Sequence, residues 1–73
     1  MRTNIYVQLL NEGTEVYRPV PAIEIRNNIY KLEGREIYDP EDEEWEFKPG
    51  TLVKTERKCF EREMVLIALQ EEE

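Results

Sequence analysis

The densest run of chemically able side chains is "DPEDEEWE", Asp39 to Glu46, with six carboxylates (Asp39, Glu41, Asp42, Glu43, Glu44, Glu46) and no base. Such a run points to three kinds of chemistry. It can cradle a divalent cation, mimic a phosphate backbone for a basic partner, or supply paired carboxylates for acid–base work. A calcium loop of the EF-hand type needs oxygen ligands at alternating positions, with glycine sixth and glutamate twelfth. Counted from Asp39, the sixth residue is Glu44 and the twelfth is Gly50, so the pattern fails at both. A catalytic carboxylate pair needs a cleft, and 73 residues leave little room for one. A looser Mg²⁺ or Ca²⁺ site and the phosphate mimic stay open, and the favoured reading is a solvated edge. A polar loop enters a strand, and its charges guard that strand against edge-to-edge association.

The other usual chemistry is missing from the composition. The chain has no histidine, which removes the common general base and metal ligand. Its single cysteine, Cys59, can make neither a thiolate zinc site nor an internal disulfide, and is read as a small packing residue. Its three glycines, Gly13, Gly34 and Gly50, are isolated and form no phosphate-cradling loop. The expectation is a protein without catalytic residues, cofactor or metal. Six residues stand out for binding instead. Tyr6 and Tyr17, on the outer side of neighbouring strands, and Arg18 beside them have the composition of a protein-binding surface. Lys54, Arg57 and Lys58, on one hairpin with Phe60, have the composition of a nucleic-acid contact.

Charge weighs between these readings. A net charge of −7 disfavours nucleic acid, which needs cations to displace its counterions, and favours a basic protein partner. No apolar run is long enough to span a bilayer as a helix, and the amino-terminal stretch lacks the shape of a leader. With one unpaired cysteine, this predicts a cytoplasmic protein without membrane contact, monomeric or weakly dimeric.

Positioning these residues falls to strands. Ile5, Val7 and Leu9 alternate with Asn4, Tyr6 and Gln8, a period of two. "TEVYRPV" sets Val16, Arg18 and Val20 on one face, so Arg18 must lie at a barrel mouth with its stem packed or pair with a carboxylate. The prolines of "RPVPA" require an edge, a bulge or a bend. "NIYKL" is a third strand. "EWEFK" turns Trp45 and Phe47 inward. "TLVKTERKCF" and "MVLIALQ" make a last hairpin around "ERE", with Val53 and Cys59 (or Leu52 and Phe60) and then Val65, Ile67 and Leu69 as its apolar sets. "MVLIAL" is apolar on every side and reads as a doubly covered strand, although its helix formers leave a helix open. Residues 70–73 read as an acidic tail to a single domain spanning 1–73. "EGTEVYR" and "PGTLVKT" both place Gly-Thr before a strand, which predicts a positive φ at two strand entries.

Five or six short strands in so short a chain predict an all-β fold, a small SH3-like barrel that is closed or partly open. The succession "LLNEGTEVYRPV", a tyrosine-containing strand, an acidic linker, "WEFKPG" and a final hairpin resembles a group of small bacterial proteins. The resemblance covers most of the chain, implies the same SH3-like barrel, and brings no catalytic or ligand residues with it. The function expected is that of a cytoplasmic protein-binding or accessory module. The alternatives are a nucleic-acid contact through the basic hairpin and an acidic mimic of nucleic acid.

Overall fold

The computed structural model describes residues 2–72 and is all-β, with no helix among them. Six strands follow in order: β1 (Arg2–Leu10), β2 (Tyr17–Arg26), β3 (Ile29–Leu32), β4 (Glu44–Trp45), β5 (Leu52–Phe60) and β6 (Glu63–Glu71). Antiparallel ladders join β1 to β2, β2 to β3, β3 to β5 and β5 to β6. Four reversals leave the first and last of these strands running the same way. β6 therefore meets β1 in parallel, at Tyr6↔Ile67, and this contact completes a ring of hydrogen bonds through five strands. The short β4 lies outside the ring, paired to the end of β1 at Leu9↔Trp45 and Leu10↔Glu44.

Alternation fills the ring. Ile5, Val7, Leu9, Val20, Ala22, Tyr30, Leu32, Trp45, Val53 and Ala68 form one buried cluster. Thr55 is the buried polar residue among them, and both its N–H (2.9 Å) and its hydroxyl (3.3 Å) donate to the Asn28 carbonyl. The β5–β6 turn has two residues, Glu61 (φ 48°) and Arg62 (φ 72°), both left-handed. That is the turn whose twist matches two adjoining antiparallel strands.

Several expectations change here. β2 runs unbroken through both prolines and is no edge of the sheet, since it pairs with β1 and with β3; its prolines are tolerated because they lie just beyond the β2–β3 ladder, which begins at Ala22. The Pro21 carbonyl accepts from Glu33 N (2.7 Å), so the backbone polar atoms of Pro21 point away from β1. Pro19, two residues earlier, faces the same side, beyond the end of β3, where no ladder asks for its N–H. "EWEFK" is a strand only at Glu44–Trp45. The chain bends at Glu46 and Phe47 and turns at Pro49–Gly50 (Gly50 φ 94°), and Phe47 is half-buried. Gly50 has the predicted positive φ, but Gly13 does not, so the Gly-Thr echo is not structural.

The carboxy-terminal segment is strand, and it is covered on both faces only at its centre, where Ile67 and Ala68 of β6 are buried. Cys59 is exposed rather than packed, because the outer half of the β5–β6 hairpin projects past β3. Leu69, expected inside, is 49% exposed. The register passes from Lys54↔Gln70 to Thr55↔Ala68, which leaves Leu69 as the extra residue of a bulge. Ile25 is the extra residue of a second bulge, between Glu24↔Tyr30 and Arg26↔Ile29, and is likewise 50% exposed. Gln70 and Glu71, read as tail, belong to β6, and Glu72 continues the ladder through its N–H to Leu52 O (2.8 Å) and pairs with Arg26 (2.6 Å). Glu73 lies outside the described residues.

Candidate functional site

The register of β1 against β2 sets opposite residues on the same face. Ile5↔Val20 and Val7↔Arg18 face inward. Tyr6↔Pro19 and Gln8↔Tyr17 face outward, which makes Tyr6 and Tyr17 diagonal neighbours on the outer face. The ring closure then matters. It brings Ile67 of β6 into register with Tyr6, and with β6 comes the β5–β6 hairpin end. Phe60 thereby reaches Tyr17, the two rings tilted at 43° with centroids 5.3 Å apart. This is a favourable aromatic geometry.

The result is a shallow hollow of about 270 Å³ lined by Tyr6, Tyr17, Phe60, Glu15 and Glu61. Glu15 comes from the β1–β2 connection and Glu61 from the left-handed hairpin turn. Three aromatic rings and two carboxylates line it, without a cation. Aromatic faces carry negative quadrupole density, and carboxylates add formal charge, so a hollow of this kind favours a cation with an apolar stem.

The remaining predicted residues lie elsewhere. Arg18 does not join Tyr6 and Tyr17. It turns inward, its Nε donating to Glu43 Oε1 and its Nη2 to Glu43 Oε2 (3.4 Å). Glu43 Oε1 also accepts the indole N–H of the buried Trp45 (3.0 Å). The hydrogen bond from Trp45, joined by the hydrogen bond and charge of Arg18, holds the Glu43 carboxyl below its ordinary value against the opposing effect of burial. Of the two sequence readings of Arg18, the pairing with a carboxylate is the one seen.

Lys54, Arg57 and Lys58 do not form one surface. Lys54 and Lys58 face outward with Glu56 between them, while the alternation of β5 puts Arg57 on the opposite face. Lys54 also sits between β3 and β6, opposite Ile29 and Gln70. The acidic block divides too. Asp39 closes a turn, accepting Glu41 N on Oδ1 (3.0 Å) and the N–H groups of Asp42 and Glu43 on its carbonyl (3.0 Å each). Glu44 accepts Asn11 Nδ2 (2.9 Å) and ties the β1–β2 connection to β4. Glu41, Asp42 and Glu46 are the exposed remainder. Solvated edge describes those three residues and fails for Glu43, which is a structural anchor.

The anchor was visible in outline. The alternation that turns Trp45 and Phe47 inward turns Glu43 inward as well, and Arg18 is a cation between the two apolar positions Val16 and Val20. Two opposite charges on inner faces imply a pair. Phe60, Glu15 and Glu61 carried no such signal, since their meeting depends on which strands are neighbours. Comparison of the chain with protein-family models, with curated proteins and with solved structures finds no match.

Proposed function

We propose that this protein is a small non-catalytic docking module whose Tyr6–Tyr17–Phe60 hollow receives a lysine or arginine side chain of a basic partner protein. The observation that carries this reading is the convergence of three aromatic rings with Glu15 and Glu61. The net charge of −7 adds long-range attraction for a basic partner and works against nucleic acid. The five-strand ring supports assignment of the fold as an SH3-like barrel, with the hollow on its outer wall. The free, exposed thiol of Cys59 fits a reducing compartment, the bacterial cytoplasm.

The test is a titration of the labelled protein with short peptides that carry a single arginine or lysine among neutral residues, read by amide shifts. Saturable shifts centred on Tyr6, Tyr17 and Phe60 are expected. A cation over an exposed ring is worth about 0.5–1 kcal/mol and a desolvated one about 2. Tyr17→Ala should therefore weaken binding by roughly two- to thirty-fold at about 1.4 kcal/mol per decade. Equal response to a norleucine peptide would sink the cation reading, and shifts confined to Lys54–Lys58 on adding an oligonucleotide would favour the basic-hairpin alternative.

A further inference from the structure

Although the chain is strongly acidic, one cleft of about 240 Å³ gathers three of its cations, Arg2, Lys31 and Arg35, with Glu33 and Glu36 on its walls. The placement follows from register. Arg2, Ile23, Lys31 and Leu52 form a single row across β1, β2, β3 and β5. Arg2 and Lys31 are two strands apart in that row, or about 10 Å at the backbone, on either side of Ile23. Arg35 arrives from the connection after β3. Its Nη2 lies 3.9 Å from where a Cβ on Gly50 would stand, which places the guanidinium beside the Pro49–Gly50 turn. Gly50 is itself pinned to β3 by its N–H bond to Leu32 O (2.8 Å).

The charges in the cleft are unequally committed. Arg2 pairs with Glu33 (3.1 Å). Lys31 and Arg35 are exposed and make no ion pair among the described residues. Glu36 is exposed on the same connection as Arg35. We propose that this cleft binds a single oxyanion, a phosphate or carboxylate group, held by the Arg35 guanidinium and the Lys31 ammonium, with the Arg2–Glu33 pair as the far wall. A guanidinium offers two parallel N–H donors that match two oxygens of either group, and lysine adds a compact positive charge. The site stands apart from the aromatic hollow, with which it shares no residue.

The experiment titrates the whole labelled chain with inorganic phosphate and, separately, with acetate, each at ionic strength held constant with chloride. Saturating shifts at the amides of Lys31 to Glu36 and Gly50 are expected, and a Lys31→Gln/Arg35→Gln variant should bind at least ten-fold more weakly. Both side chains are exposed, and an unchanged melt of the variant checks that the fold is kept. Saturation by phosphate alone identifies a phosphate ligand, and saturation by both extends the site to carboxylates. Shifts that rise linearly without saturation, that chloride reproduces, or that persist unchanged in the variant would overturn the proposal.

Discussion

Removing the Glu43 carboxylate should cost more than removing any other charge of the acidic block. Glu43 accepts the buried Trp45 indole N–H (3.0 Å) and both donors of the Arg18 fork, with its side chain only 18% exposed. A hydrogen bond to a charged partner contributes about 1.5–3 kcal/mol. Arg18 is 42% exposed, so solvent screens its share and the lower part of that range applies to the ion pair. Glu43→Ala additionally leaves the indole N–H of a 1%-exposed tryptophan without its acceptor, which costs a further amount of about 1 kcal/mol. The sum is about 2–3 kcal/mol. Glu43→Gln keeps one acceptor oxygen for Trp45 and loses the charge, for about 1 kcal/mol. In a domain of this size each kcal/mol moves the melting temperature by about 6 °C, so Glu43→Ala should melt about 12–18 °C below the parent.

The pH dependence gives a second handle. The folded carboxyl titrates below the ordinary glutamate value that holds in the unfolded chain. The stabilisation is therefore present above that value and is lost as pH falls through the folded one. The gap between parent and Glu43→Gln should be widest near neutral pH and should close in acid. Glu46, whose carboxyl desolvation pushes up, acts in the opposite sense but is common to both proteins and cancels in the difference. Thermal melts followed by tryptophan fluorescence and circular dichroism, with Glu41→Gln as control, decide the matter. If Glu43→Ala and the control melt together, or the gap is flat in pH, the anchor reasoning is wrong.

Trp45→Ala should destabilise by about 3–5 kcal/mol, since the ring is fully buried and packs on Tyr38 at 4.6 Å, and urea unfolding measures it. Gly34→Ala should cost about 1–3 kcal/mol by the same measurement, because φ is +92° and the new methyl would meet Ile37 and Trp45 at 3.4 Å. Neutralising Glu41 and Asp42 together, both exposed, should leave the melting temperature level or slightly raised at low salt, with the difference shrinking as salt is added.

Local alternation was legible without the structure, and it determined a great deal. Side chains two apart on a strand point the same way whatever the strand pairs with. Ile5, Val7 and Leu9 inward, Tyr6 and Tyr17 outward, and the inward Trp45 all follow from neighbours along the chain. The same parity put Glu43 and Arg18 inside, although the density of charge around Glu43 hid its role. Closure and register belong to the tertiary structure alone. The single parallel contact Tyr6↔Ile67 decides that Phe60 lies beside Tyr17. The row through β1, β2 and β3 decides that Arg2 and Lys31, 29 positions apart in the chain, share a cleft. The bulges at Leu69 and Ile25 shift the phase of alternation by one residue, so expectations counted through them fail beyond that point. Such shifts depend on how two strands fit each other around a closed ring. That fit is a property of the pair and is written in neither strand's own pattern.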